Sequence, residues 1–255
     1  MTRVWNTLPA WLDHRRALEA PSIGFVPTMG ALHRGHASLV QRCRRENQIV
    51  VVSIFVNPAQ FDDPNDLARY PRTLDRDVGL LEDLGADEVI APTAAEMYPD
   101  GCRFRIESRG DEGMEAAFRP GFLSGVRTVV LKLLNIVRAH RAYFGEKDYQ
   151  QLRTIQEMVR EFFVPTEIIP CPTVREPSGL AESSRNALLS ACSREKAASL
   201  FRVLTAAADV SEARAALESE GFRVDYVEER WGRRFVAAFL DGVRLIDNIP
   251  LAEHD

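Results

Sequence analysis

The sequence predicts an α/β protein: a Rossmann-like doubly wound parallel sheet followed by a small C-terminal α+β domain. Three observations predict it. Apolar runs of strand length alternate with stretches of helical period through the first two thirds of the chain. The run at 49–56, IVVVSIFV, is β-branched without alternation, as expected of a strand covered on both faces. After residue 173 the pattern changes to a polar, turn-rich stretch, then helices, then alternating strands separated by Asp241-Gly242, a dipeptide suited to a tight hairpin.

The elements follow in order. Residues 23–26 form a short strand leading into Pro27-Thr28-Met29-Gly30-Ala31-Leu32-His33-Arg34-Gly35-His36, and a helix is expected over 36–46. Strand 49–56 is followed by a helix at 74–84 that stops at Gly85, then by a short strand at 88–91. A strongly apolar helix covers 124–137, strand 141–144 stops at Gly145, an amphipathic helix covers 147–162, and 167–170 is a further strand. In the C-terminal part, helices are expected at 194–208 and 212–220, and strands at 223–229, 235–240 and 243–249. The resulting division is 1–173 for the Rossmann-like domain and 174–255 for a small C-terminal α+β domain.

Composition narrows the class. The 255 residues are 45% hydrophobic and 27% charged, ordinary for a globular enzyme, and the formal net charge of −5 argues against a nucleic-acid or anionic membrane partner. The four cysteines form no C-x-x-C pair, the N-terminal stretch lacks a signal-peptide core, and no apolar run has the length of a membrane span. The expectation is a cytoplasmic protein.

Four clusters carry chemistry. Met29 through His36 sits where a strand gives way to a helix, the place where backbone amides and the helix dipole favour phosphate, and two imidazoles three residues apart add donors. A Walker A loop would need Lys and Ser/Thr where His36 and Ala37 stand, and a metal site lacks an evident third ligand. Asn57 and Gln60, at the end of the most buried strand, are neutral donor-acceptors that suit a substrate but equally suit an ordinary Asn-Pro turn. Gly145-Glu146-Lys147-Asp148 opens a helix with a cation, which makes sense opposite an anion; Asp148 and Gln151 also read as a capping box. Ser183-Ser184-Arg185 offers a phosphate clamp in a polar loop, or a solvated hinge.

PTMGALHRGH, FVNPAQF, YPRT, FGEKDYQQ, CPTVRE and SSRN in that order, with VRLIDN near the end, resemble the pantoate–β-alanine ligase family of the His-x-Gly-His nucleotidylyltransferase superfamily. The resemblance implies that pantoate and ATP form pantoyl adenylate with Mg²⁺ accompanying the nucleotide, and that β-alanine then displaces AMP. It implies an ATP site at Met29, Gly30, Ala31, Leu32, His33, Arg34, Gly35 and His36, with His36 catalytic and His33 its partner. Gly145, Glu146, Lys147 and Asp148, the backbone of Val174, and Glu182, Ser183, Ser184 and Arg185 would complete it. Lys147 and Arg185 would act at the phosphates. Gln60 would contact pantoate and β-alanine, and Gln151 pantoate. The resemblance further implies a homodimer. The other readings of these motifs are a dinucleotide-forming transferase, a fragment of a class I aminoacyl-tRNA synthetase and a non-catalytic nucleotide-binding regulator. The chain departs from the family pattern at Phe122, where a histidine is usual, at Glu182, where an apolar residue is usual, and in the short stretch between Tyr226 and Phe235.

Overall fold

Strands β1 (Arg3–Trp5), β2 (Ile23–Thr28), β3 (Ile49–Ile54), β4 (Glu88–Ile90), β5 (Arg141–Gly145) and β6 (Glu167–Cys171) form one sheet in the order β1-β4-β3-β2-β5-β6. Every neighbouring pair is parallel. The computed structural model describes residues 1–110 and 112–251. The chain divides into two compact units, one of Met1–Gly145 with Gln150–Cys171, the other of Glu146–Tyr149 with the chain from Pro172 onward. The sequence pattern puts a boundary at 173/174 and gives no sign that Glu146–Tyr149 groups with the C-terminal unit.

In the first unit the helices are α1 (Leu8–Ala17), α2 (Arg34–Glu46), α3 (Pro64–Arg69), α4 (Leu74–Asp83), α5 (Ala94–Met97), α6 (Met114–Phe118), α7 (Phe122–Val137) and α8 (Tyr149–Glu161), the last from its second residue onward. Val26, Val50 and Val52 pack with Leu39, Val40 and Cys43 of α2 and Leu81 of α4. The alternate residues Phe25 and Val51 point to the opposite face and are also buried, which is why these strands read as continuous apolar runs. Helix α7 packs on β2.

The order of strands reverses between β2 and β5: β3 and β4 follow on one side of β2, β5 and β6 on the other. Ligands of doubly wound sheets bind beyond the carboxyl ends of the strands at such a switch point. Here those ends are Thr28 and Gly145.

The second unit has a three-stranded antiparallel sheet of β7 (Arg223–Arg230), β8 (Arg233–Leu240) and β9 (Val243–Pro250), with helices α9 (Ala191–Ala197), α10 (Ser199–Ala206) and α11 (Val210–Ser219). Its own core includes Leu200, Leu204, Leu217, Val236 and Ala238. Asp241 and Gly242 both have left-handed φ, 49° and 79°, as a type I′ hairpin requires. Trp231 and Gly232 repeat the pattern at 53° and 65°.

Two helices differ from the sequence reading. The helix expected at 194–208 is broken, because the Ala198 amide bonds the Glu195 carbonyl at 3.3 Å and tightens the turn between α9 and α10. The helix expected from 147 starts at Tyr149, preceded by a 3₁₀ turn, Glu146–Asp148. Lys147 therefore lies in that turn and not in the first turn of an α-helix. The edge strand β1 and α1 were not evident from periodicity; Trp5 holds them by donating to Glu88 at 2.7 Å and stacking on His14.

Candidate functional site

The loop from Met29 to His33 leaves β2 and enters α2 in a fixed conformation. Gly30 has φ +78° and Ala31 φ +50°, so consecutive residues sit in the left-handed region. Their fold is held from α4: Asp77, almost wholly buried, accepts the Ala31 amide at 2.8 Å and the Leu32 amide at 2.9 Å on separate carboxylate oxygens. Thr73 Oγ1 donates to the same carboxylate at 3.0 Å. A Cβ on Gly30 would lie 3.1 Å from Asp77 Oδ2, so the glycine is needed for closeness as well as for φ.

His33 caps α2. Its Nδ1 accepts the Gly35 amide at 3.1 Å, which puts the proton of the neutral ring on Nε2. His33 and His36 stand with ring centroids 4.1 Å apart. Both are half-buried, while Arg34 between them is exposed. The arrangement presents two imidazoles at a helix N-terminus, the chemistry that stabilises charge growing on a phosphate oxygen.

Gln60 is fixed beside this loop. Its Nε2 donates to Met29 Sδ at 2.9 Å and its Oε1 accepts from Asn57 Nδ2 at 2.9 Å. Asn57 is held in turn by Tyr98, whose hydroxyl donates to Asn57 Oδ1 at 2.6 Å, and by the Gly125 carbonyl, which accepts from Nδ2 at 3.2 Å. Burial pushes the Tyr98 hydroxyl well above its usual range, so it stays a donor. The turn Pro58–Gln60 lies against α7 at Gly125, where a Cβ would come within 2.1 Å of the Ala59 carbonyl oxygen. Arg119 donates to the Gln60 carbonyl at 3.1 Å and pairs with Glu115 at 3.3 Å, and the Glu115 amide donates to Gln150 Oε1 at 2.9 Å. This chain ties the first turn of α8, which also carries the half-buried Gln151, to the turn carrying Gln60.

The remaining candidates belong to the second unit, apart from Gly145 at the end of β5. Lys147 Nζ is 3.8 Å from Asp148 Oδ2, and Asn248 Nδ2 donates to the carbonyls of Glu146 and Lys147 at 3.0 and 2.9 Å. Val174 accepts the Glu182 amide at 2.9 Å, and Arg175 bridges to Ala181, so 174–182 is a small hairpin. Ser183 caps the 3₁₀ turn Ser184–Leu188 by accepting the Arg185 amide at 3.2 Å. Among the described residues no group of three or more His, Cys, Asp or Glu could hold a metal ion.

A family model described as pantoate-beta-alanine ligase matches residues 1–250. The chain belongs to the pantoate-beta-alanine ligase family. It is an enzyme of that type. It is 48% identical over 252 residues to the pantothenate synthetase of Bdellovibrio bacteriovorus, covering 98% of this chain and 100% of that protein. It is 46% identical over 253 residues to that of Coxiella burnetii, covering 99% and 98%. Among solved structures it is similar to the Francisella tularensis pantoate-beta-alanine ligase complexed with beta-gamma ATP and beta-alanine, with a TM-score of 0.94 at 41% identity and 98% of each chain covered. The Thermus thermophilus pantothenate synthetase gives 0.91 at 43% identity, covering 98% and 99%.

Against the ligase family's pattern, Phe122 takes a structural role: it is buried at the start of α7, and the Arg119 guanidinium lies 3.9 Å over its ring. Glu182 contributes, after the larger effect of Glu176, to holding the Arg194 guanidinium above its usual range. Sequence reasoning missed Asp77, Tyr98, Arg119 and Gly125. Asp77 was findable as a carboxylate four residues before Leu81 on the apolar face of its helix, and Gly125 as a lone glycine in a strongly apolar helix.

Proposed function

We propose that this ligase condenses pantoate with β-alanine at the expense of ATP. In the first step a pantoate carboxylate oxygen attacks the α-phosphorus and the bond to the β-phosphate bridging oxygen breaks, giving pantoyl adenylate and pyrophosphate. In the second, the β-alanine amine attacks the acyl carbon, the acyl carbon–oxygen bond breaks, and AMP leaves with that oxygen. The amine loses a proton in forming the amide. Adenylation is needed because a free carboxylate is a poor acyl donor, and two anions must be brought together to achieve it.

The observation that carries this reading is the β2–α2 loop, with two imidazoles 4.1 Å apart and the Gln60 amide held against Met29 of the same loop. His36 and His33 act as donors to the reacting phosphate, with the backbone from Met29 to Gly35 around it. Gln60 and Gln151 hold pantoate, and Gln60 also borders the β-alanine position. Lys147, with Gly145, Glu146 and Asp148, and Arg185, with Glu182, Ser183 and Ser184, serve the nucleotide phosphates and ribose, and Val174 meets the adenine through its backbone. The ligands named for the Francisella tularensis relative, beta-gamma ATP and beta-alanine, support the same substrate classes here. Mg²⁺ would be carried largely by triphosphate oxygens and water, its usual mode with nucleotides. The reading places the enzyme in the cytoplasm as a homodimer with neither nucleic acid nor membrane as partner; no helix among the described residues is long and apolar enough to cross a membrane.

The test is exchange of labelled pyrophosphate into ATP. It should require pantoate and proceed without β-alanine. His36→Ala should lower its rate by about 10²–10³ with little change in thermal stability. Exchange that ignores pantoate, or a fully active His36→Ala enzyme, contradicts the proposal.

A further inference from the structure

The VRLIDN segment of β9 is a motif of the sequence to which the reaction assigns no part. Within the second unit Asn248 is 1% exposed, and its amide is fully engaged. Nδ2 donates to both the Glu146 and the Lys147 carbonyls, and Oδ1 accepts from Arg233 Nε at 2.6 Å. The Asn248 backbone is fixed as well. Its amide donates to Asp247 Oδ1 at 2.8 Å, and its carbonyl accepts from Arg175, whose guanidinium also grips the Asp247 carboxylate at 2.6 and 3.0 Å. Arg175 is further pinned over the Phe201 ring at 4.0 Å and to the Gly179 carbonyl at 3.0 Å.

In an uninterrupted α-helix the carbonyls of residues 146 and 147 would accept from the amides of 150 and 151. Here both accept from one side chain of β9, and the segment is a 3₁₀ turn with Tyr149 opening the α-helix. This accounts for the grouping of Glu146–Tyr149 with the C-terminal unit. It also links three segments inside that unit: the turn bearing Lys147, the β9 pair Asp247-Asn248, and the hairpin that begins at Val174-Arg175.

We infer that Asn248 is a positioning residue for Lys147: its amide fixes the two carbonyls that flank the Lys147 Cα and so sets where the ammonium is delivered. Asn is the side chain this needs. It supplies two donors for two carbonyls and one acceptor for Arg233, whereas an isosteric Asp would face the carbonyls with oxygen alone. The inference rests on the proposed role of Lys147 at the phosphates, so the experiment separates the two.

The experiment is a double-mutant cycle of Asn248→Ala and Lys147→Ala in the full chain, read by pantoate-dependent exchange of pyrophosphate into ATP at saturating ATP. A misplacement of about 1 Å costs on the order of 10² in rate, so Asn248→Ala alone should lower exchange by roughly that factor. In the Lys147→Ala background the same change should lower it by less than about threefold, because a positioning residue has nothing left to position. Equal losses in both backgrounds, or no loss in either, overturn the inference. Full exchange in Lys147→Ala alone refutes the reading of Lys147 itself and this inference with it. Native-state hydrogen exchange covers a destabilised variant: amides of 146–149 should exchange at least about tenfold faster in Asn248→Ala while β7 and β8 keep their protection. Uniform loss of protection across the unit would make Asn248 a residue of the general fold and overturn the inference.

Discussion

Gly125→Ala is the substitution whose effect is most fully set by geometry. Its Cβ would lie 2.1 Å from the Ala59 carbonyl oxygen, 2.6 Å from the Ala59 carbonyl carbon and 2.9 Å from Gln60 Cα. Ordinary contact begins at 3.4 Å, so helix and turn must separate by 3.4 − 2.1 = 1.3 Å along that line. The atoms met are backbone, and no rotamer change relieves them. Two opposing terms act on stability: Ala gains about 1 kcal/mol over Gly in a helix, and overpacking costs about 1–3 kcal/mol. The net loss is therefore modest, on the order of 0–2 kcal/mol. The effect on activity should be larger. The turn being displaced carries Gln60, and the Asn57 bond to the Gly125 carbonyl is disturbed with it. A shift of this size costs about 10² in kcat/KM for pantoate, equivalent to roughly 2.7 kcal/mol of transition-state stabilisation, and should fall less heavily on the KM for ATP. Steady-state kinetics with each substrate varied, beside a calorimetric Tm, measures both. A folded variant with unchanged kcat/KM for pantoate would refute the assignment of the Pro58–Gln60 turn to the substrate site.

Asp77→Ala should remove the acceptor for two buried loop amides, costing about 1–3 kcal/mol for each and slowing exchange together with a fall in Tm; a variant with wild-type Tm and rate would show that the loop holds itself. Burial pushes the Cys43 thiol up from 9.0 to about 12. A raised folded-state value stabilises fully below about pH 9 and is lost as pH climbs from there toward 12, a window in which buried Tyr98 and Tyr143, both raised by burial, act in the same sense. Cys43→Ala should therefore lose stability less steeply between about pH 8 and 10.5 than the parent. In the native parent at about pH 8, a thiol reagent should label the exposed Cys192 and not Cys43. Equal labelling, or parallel alkaline stability curves, would contradict the burial.

What the sequence made legible were features whose cause is local. The β-branched run of β3, the glycines of the β2–α2 loop and the Asp241-Gly242 hairpin each follow from a few consecutive residues. The two histidines could be paired because both sit within one loop and the helical turn after it. What escaped depends on distant partners. Asp77 meets Ala31 and Leu32 across more than forty positions, Tyr98 meets Asn57, and Gly125 meets Ala59; nothing in their own neighbourhoods names those contacts. The start of α8 was misread for the same reason. Its capping pattern is sound in isolation, yet Asn248, a hundred residues later, donates to the Glu146 and Lys147 carbonyls in the turn that precedes the helix. Phe122 looked like a loss when compared with a motif and is instead a packing partner for Arg119.

The central claim is that a carboxylate oxygen becomes bonded to the α-phosphorus of ATP, and isotope transfer tests it most directly. With pantoate labelled with ¹⁸O in its carboxylate, a complete turnover with β-alanine should leave one labelled oxygen in the phosphate of AMP and one in the amide carbonyl, read by mass spectrometry. Unlabelled AMP, or label found in inorganic phosphate released beside ADP, would mean that a different phosphorus is attacked.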